Sequence, residues 1–511
     1  MVARAWVIGA LVVALLAGGA AAAALLAWPQ GAVGASSTGL AGISLPGFAG
    51  HVESVSVVDP HGKPLAVRVS HDTIWPLERL APGEKLTVTV DLRRPGWIGW
   101  LVGRQVERTV SVVTPVAHVR QTLLRPAEGS AVAIRFDTPV SRVAIGGRVQ
   151  RLDVRAVVPL GVVASGSTAA GATTVAAAVR PWESLSQPVR VSWFTPGARV
   201  QVVADPAPNT RVAPSSTLTL TFAEPVSEAL GSKLPKLVPA TPGRWTQVDA
   251  HTLEFQPAAL GLPIGGALRV HLPGRTVTWQ VEPGSTLRLQ QILARLGYLP
   301  LRWSGGPAKT QAAELAAAAT PPQGVFSWRF PNTPASLQRL WKEGSWNVVT
   351  EGAVMAFEDD RGLATDGVAG PAVWRALLRA DLDDQRRLGG YNYVFVHETI
   401  PQSMNLWHDG KVILTSPGNT GIASAPTAQG TWPVFEHISS GTMSGTNPDG
   451  SHYNDPGVRW ISYFHGGDAL HAFPRASYGT PQSLGCVELP YTAAEQVWPY
   501  TPVGTLVTIE S

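Results

Sequence analysis

The chain of 511 residues contains one cysteine, Cys486. A lone thiol can form neither an internal disulfide nor a multi-cysteine metal site, so it is either a small buried apolar group or a reactive one. His471 precedes it by fifteen residues. A thiol with a free pKa of about 8.5 is a poor nucleophile near neutrality, and an imidazole that takes its proton converts it into a thiolate. Ser483-Leu484-Gly485-Cys486 reads as a turn, in which Gly485 lets backbone N–H groups approach a developing oxyanion together with the N–H of Cys486. Trp460, Tyr463, Phe464 and Phe473 suit a core better than a substrate platform, although Tyr463 and Trp460 are close enough in sequence to touch a substrate. His465, before Gly466-Gly467, lies in a loop or lines the same cleft. His437 and His452 flank a Gly/Ser/Thr/Asn-rich stretch, Ser439 to Ser451, that reads as a mobile loop. No His-x-x-x-His grouping occurs, so no metal is expected.

The elements that must position this pair are strands. Tyr393 to His397 and Ser403 to His408 flank a turn, Asp409-Gly410 is a hairpin signal before Lys411 to Thr415, and Gly504 to Ile509 closes the segment, predicting an antiparallel β fold over 391–511. With His471-Ala472 and Ser483 to Cys486 in these places, and Thr427 to Phe435 (TAQGTWPVF) similar to a "T-P-x-G-x-F" strand, the region resembles the L,D-transpeptidase catalytic domain of YkuD type. The resemblance implies Cys486 as nucleophile, His471 as base and the Ala472 carbonyl as the group that orients the ring. It further implies that Ser483 supports the turn and that Gly485 and Cys486 supply oxyanion donors. The implied substrates are peptidoglycan stem peptides, cross-linked without any cofactor. An L,D-carboxypeptidase that uses water as acceptor, or a wall-binding scaffold whose catalysis has decayed, are the alternatives. Two positions depart from the pattern: Leu484 stands where a second histidine is usual, and Glu488 where Arg or Asn is common.

Upstream, 283–380 has helical periodicity. Leu289, Ile292, Leu293 and Leu296 recur at i, i+3, i+4 and i+7 with Gly297 as terminator. Thr350 is read as the cap of a second helix that Gly362 stops, and Gly370-Pro371 opens a third. A small three-helix bundle is expected. LQQILARLGYL (Leu289 to Leu299) and the Asp366 to Trp374 segment DGVAGPAVW resemble the peptidoglycan-binding type 1 domain, interrupted by an insertion at 300–349. That resemblance implies glycan and peptide binding near Asp366.

From 45 to 282 short β-branched runs alternate with turns, Lys85 to Leu92 (KLTVTVDL) being the clearest, and predict three β-sandwiches at 45–114, 115–195 and 196–282. The third, with Ala204 to Leu230 and Trp245 to Pro257, resembles bacterial Ig-like domains. Residues 29–44 read as a linker. Residues 1–28 read as a membrane anchor or signal, since Ala5 to Trp28 carries no charge over a length that spans a bilayer. The expectation is therefore a multidomain, mainly β protein with an N-terminal transmembrane helix. It faces the wall outside the cell membrane, or is secreted if that segment is cleaved. Composition agrees: Gly (52) and Pro (43) exceed their usual combined share of about 12%, and only 15% of residues are charged. A net charge of +4 with no basic run leaves nucleic acid without an electrostatic footprint.

Overall fold

Alternating burial runs the length of the strand Lys85–Arg93, whose Leu86, Val88, Val90 and Leu92 are buried while the residues between them are more open. In the computed structural model, residues 30–47, 49–96, 99, 103–197 and 201–511 are described, together with Gly18 and Gly19. The chain divides into two units, 1–203 and 204–511. The expected anchor, Ala5 to Trp28, lies outside the described residues except for Gly18 and Gly19. Among the described residues no helix is long and apolar enough to cross a membrane.

In the first unit, Lys85–Arg93 is the centre of a three-stranded sheet with His51–Val58 and Gln105–Val113. The supposed linker is part of the fold. Ala32–Ala35 pairs with Ala41–Ser44, which pairs in turn with Thr73–Pro76, because Leu40, Ala41 and Ile43 give the segment apolar groups that bury in the same core as Val57 and Ile74. The segment expected as a second sandwich is one five-stranded sheet. Its two longest strands, Ala131–Ile145 and Arg148–Val163, carry register shifts near Arg151, Arg155 and Pro159. Such bulges bend a strand and strengthen its twist, so one sheet can enclose Ile134, Phe136, Val143, Val175 and Trp193.

In the second unit, Leu218–Phe222 pairs with Thr252–Pro257, which pairs with Gly243–Asp249. A separate sheet runs Arg211–Val212, Arg275–Val281, Ala267–Leu272, Lys236–Val238. The helix Thr286–Leu296 follows with Leu289, Ile292, Leu293 and Leu296 buried, and Gly297 caps it at φ 86°. The 300–349 insertion is folded, with a hairpin of Leu301–Trp303 and Phe326–Trp328 and two helices, Gln311–Ala319 and Ala335–Arg339. A buried ionic cluster ties it in. Arg288 Nη2 reaches Glu314 on the inserted helix at 2.7 Å and Asp381 at 2.9 Å, and Arg295 Nε reaches Asp381 at 2.6 Å. The helix Val348–Asp360 is capped by the Asn347 side chain, which accepts from Thr350 N at 3.0 Å, so Thr350 lies inside the first turn and is not its cap.

The C-terminal region has two sheets. One runs Lys411–Pro417, Ser403–His408, Asn392–His397, Leu506–Glu510, Gly430–Pro433, and the other Glu436–Thr446, His452–His465, Asp468–Ala472, Val487–Leu489. The fold is mixed, not purely antiparallel. Asn392–His397 lies parallel to Leu506–Glu510, and Asp468–Ala472 parallel to Val487–Leu489. Each parallel pair is joined by a crossover too long for a hairpin. Val394, Leu406, Phe464, Leu470, Val487 and Val507 fill the space between the sheets. Tyr391, Tyr393, Trp407 and Leu506 join instead the core of the helical region, where Tyr393 OH donates to Ser336 Oγ at 3.1 Å and Trp407 Nε1 to the Asn332 carbonyl at 3.2 Å.

Candidate active site

The parallel pairing of Asp468–Ala472 with Val487–Leu489 brings Cys486 and His471 to one cleft. Leu470 is opposite Val487 and His471 opposite Glu488, so Cys486 falls one step before the strand, on the face that carries His471 and Glu488. All three line one cleft of about 710 Å³, with Tyr453, Tyr463, Asp468 and Arg475.

His471 is buried, and its Nδ1–H donates to the Ala472 carbonyl at 3.0 Å, which leaves Nε2 as the basic nitrogen. Burial holds its pKa below the ordinary 6.5. The turn before Cys486 is closed by Ser483, whose Oγ donates to the Cys486 carbonyl at 2.5 Å and accepts from Gly485 N at 3.3 Å. Ser483 is itself held by its N–H on the Thr420 carbonyl at 3.0 Å. Gly485 has φ 118°, and a Cβ on it would lie 2.2 Å from Asp468 Oδ1. No other residue fits there without moving that carboxylate. The Cys486 thiol donates to the Gly467 carbonyl at 3.6 Å. Burial pushes its pKa up to about 12, and the negative charges of Asp468 and Glu488 add to the rise. Burial therefore disfavours the charged form of both groups, the thiolate of Cys486 and the imidazolium of His471.

Of the residues expected from sequence, Cys486, His471, Ser483 and Tyr463 line the cleft, and Ala472 and Gly485 act through their backbones. The Gly485 N–H is engaged by Ser483 Oγ inside the turn, so the glycine's contribution here is its conformation. Two expected residues lie elsewhere. Trp460 sits at an irregularity between Arg459 and Ser462, with φ 56°, and this turns its ring onto Tyr491, with centroids 5.7 Å apart, on the side of the domain core. Asp366 lines a separate groove of about 460 Å³ in the helical region with Trp346, Glu351 and Trp374. The stretch Ser439 to Ser451 is not a loop: Glu436–Thr446 and His452–His465 form a long hairpin, and only residues 447–451 turn. Its Met443, Ser444, Asn447, Tyr453 and Asp455 form one wall of the cleft.

Sequence reasoning missed Arg475. It lies four residues after His471 and forks onto Glu488, Nε to Oε2 and Nη2 to Oε1, both at 2.7 Å. A buried acid where a basic or amide residue is usual was the available signal, since such an acid needs a cation nearby.

Residues 391–509 match the family described as the L,D-transpeptidase catalytic domain, YkuD. The C-terminal domain is of this class. Among solved structures the chain is similar to an L,D-transpeptidase from Mycobacterium smegmatis, at 14% identity over 61% of this chain and 100% of that one, with a TM-score of 0.22. It is also similar to L,D-transpeptidase 3 from Mycobacterium tuberculosis in complex with a faropenem-derived adduct (12% identity, 60% of this chain, 97% of that one, TM-score 0.22). The catalytic domain of the E. faecium L,D-transpeptidase, solved by NMR, is similar at 26% identity over 23% of this chain and 96% of that one, TM-score 0.22. No curated protein matches the chain.

Proposed function

We propose that the chain is a peptidoglycan L,D-transpeptidase that works outside the cytoplasm through a thioester on Cys486. The observation that carries this reading is that the chain's single thiol lines the same cleft, in a domain of this class, as an imidazole whose Nδ1–H is held on the Ala472 carbonyl. As the sulfur attacks the carbonyl of the third residue of a tetrapeptide stem, its proton passes to His471 Nε2. The tetrahedral intermediate collapses as the imidazolium protonates the departing amine of terminal D-alanine, leaving the thioester. A side-chain amine of a second stem attacks the thioester, gives its proton to His471, and the thiolate leaves and is reprotonated. Leu484 presents an apolar wall where the pattern has a second histidine, so this proton path uses one imidazole alone.

The groove of the helical region supports a wall-binding role. Trp346, 46% exposed, stands beside the Asp366 and Glu351 carboxylates, an aromatic face with hydrogen-bond acceptors that suits a sugar ring. The test is incubation of the full chain with disaccharide tetrapeptide, and separately with a carbapenem, followed by mass spectrometry. Released D-alanine, a dimeric product and an adduct on Cys486 are expected, all lost in Cys486→Ala. No turnover and no adduct by the folded wild-type chain sinks the reading.

A further inference from the structure

We infer that the Arg475–Glu488 ion pair is a positioning device for the catalytic pair, clamping the loop that joins His471 to Cys486 and opposing the field of a carboxylate that shares their face. It rests on the reading of Cys486 and His471 as nucleophile and base.

Three observations carry it. Glu488 is register partner to His471 across the parallel strands, so its carboxylate shares the imidazole's face; its side chain is only 5% exposed. A buried carboxylate in that place without a cation favours imidazolium over the neutral base and thiol over thiolate. Arg475 answers both oxygens in the bidentate geometry that guanidinium alone provides. On His471 the two charges act in opposite directions, Glu488 raising its pKa and Arg475 lowering it.

The second observation is the clamp. Arg475 Nη2 also donates to the Gln482 carbonyl at 3.2 Å, and the next residue is Ser483, whose hydroxyl holds the Cys486 carbonyl. One side chain thus spans the connection between base and nucleophile at both of its ends. The third is packing: the guanidinium lies 4.7 Å from the Phe473 ring centre, and Phe473 meets the His471 ring edge-on at 5.9 Å. Movement of Arg475 is therefore transmitted to the imidazole by contact as well as by field.

The other charged or titratable groups in the cleft are Asp455 and Tyr453 on the long hairpin, Tyr463, and Asp468. None of them is altered by the test. The full chain is prepared as Glu488→Gln, Arg475→Met, Arg475→Lys and the double variant Arg475→Met/Glu488→Gln. Alkylation by iodoacetamide is followed from pH 7 to 10, where the rate scales with the thiolate fraction of the single cysteine, together with kcat and KM for D-alanine release. Glu488→Gln keeps the shape of the site and leaves the guanidinium unbalanced, so alkylation is expected to be at least threefold faster. Arg475→Met is expected to lower kcat at least tenfold with KM within threefold. Arg475→Lys, which keeps the charge without the fork, falls between it and wild type. The double variant returns alkylation to within twofold of wild type but recovers kcat only in part, because the tie to Gln482 stays broken. If Glu488→Gln and the double variant alkylate at the wild-type rate, and kcat per folded molecule is unchanged, the pair is merely structural and the inference falls. This holds even where Arg475→Met does not fold. Alkylation needs no turnover, so a chain that releases no D-alanine refutes the proposed reaction, while the alkylation rates still decide the effect of the pair on Cys486.

Discussion

The helical region and the catalytic domain each bury an ion pair, and the two serve different ends. Arg288, Glu314 and Asp381 have side chains with 0% exposure and stand on the helices Thr286–Leu296, Gln311–Ala319 and Pro371–Leu382. Arg475 and Glu488 are 31% and 5% exposed and form part of a cleft wall beside a thiol and an imidazole. Buried charge by itself is weak evidence for either stability or function. What separates the two clusters is what their fields reach. The first lies beside the Trp303 ring, 5.9 Å from the guanidinium, whereas the second lines a cleft with the Cys486 thiol and the His471 imidazole, the groups whose protons the proposed reaction moves.

The contrast is broken most completely at the catalytic end. Cys486→Ala is expected to abolish D-alanine release, and His471→Gln to lower it by about 10²–10⁴-fold, the usual worth of a general base, both with melting temperatures within a few degrees of wild type. At the other end, Arg288→Met is expected to cost about 3–5 kcal/mol in urea unfolding, because Glu314 loses its cation while buried, and to leave kcat of the folded fraction unchanged. A loss of kcat in Arg288→Met would mean that the helical cluster also supports the catalytic site, and the distinction between the two regions would collapse.

How much of this was legible depended on whether the signal was local. The helix Thr286–Leu296 is written in the spacing of its own leucines, and the Asp409-Gly410 turn in two residues that adopt φ 44° and 93°. Cys486 and His471 were found because one cysteine in 511 residues narrows the search. The hairpin Glu436–Thr446 with His452–His465 went unseen: it is rich in Gly, Ser, Thr and Asn, and it is held by backbone pairing between segments that show little apolar alternation. Trp460 misled because proximity in sequence carries no direction, and one bulge sends its ring away from the cleft. Arg475 was hidden for the converse reason, since it lies in a loop and its meaning lies in a partner thirteen residues away, on the strand Val487–Leu489.

A smaller effect sharpens the comparison from within the helical region. Glu358 is buried with Oε1 unpartnered, while Oε2 accepts from Gly367 N at 2.9 Å. Burial, with the nearby Asp366 adding, raises its pKa from 4.5 to about 7. The fold therefore binds this proton more tightly than the unfolded chain does. The contribution is complete below about pH 4.5 and is lost as pH rises through 7. Glu358→Gln keeps the bond to Gly367 and removes the titration, so a gain of about 3 kcal/mol at most is expected at pH 8 and none at pH 4. Melting curves at the two pH values check it. An equal change at both would assign the effect to packing instead.

The smallest expected effect lies back in the catalytic turn. Gly485→Ala places a methyl in a backbone conformation that costs of the order of 1–3 kcal/mol for a non-glycine residue, and its Cβ meets Asp468 Oδ1 at 2.2 Å. The carboxylate must yield, and it is held by little: Ala428 N donates to its Oδ2 at 3.1 Å and His465 stands 3.8 Å away. Displacing Asp468 removes one of the charges that disfavour the thiolate. Two readouts should therefore part company, with kcat falling roughly tenfold, as a barrier increase of about 1.4 kcal/mol implies, while iodoacetamide alkylation of Cys486 becomes faster. If both fall together, the turn has simply collapsed, and Asp468 has no separate influence on the thiol.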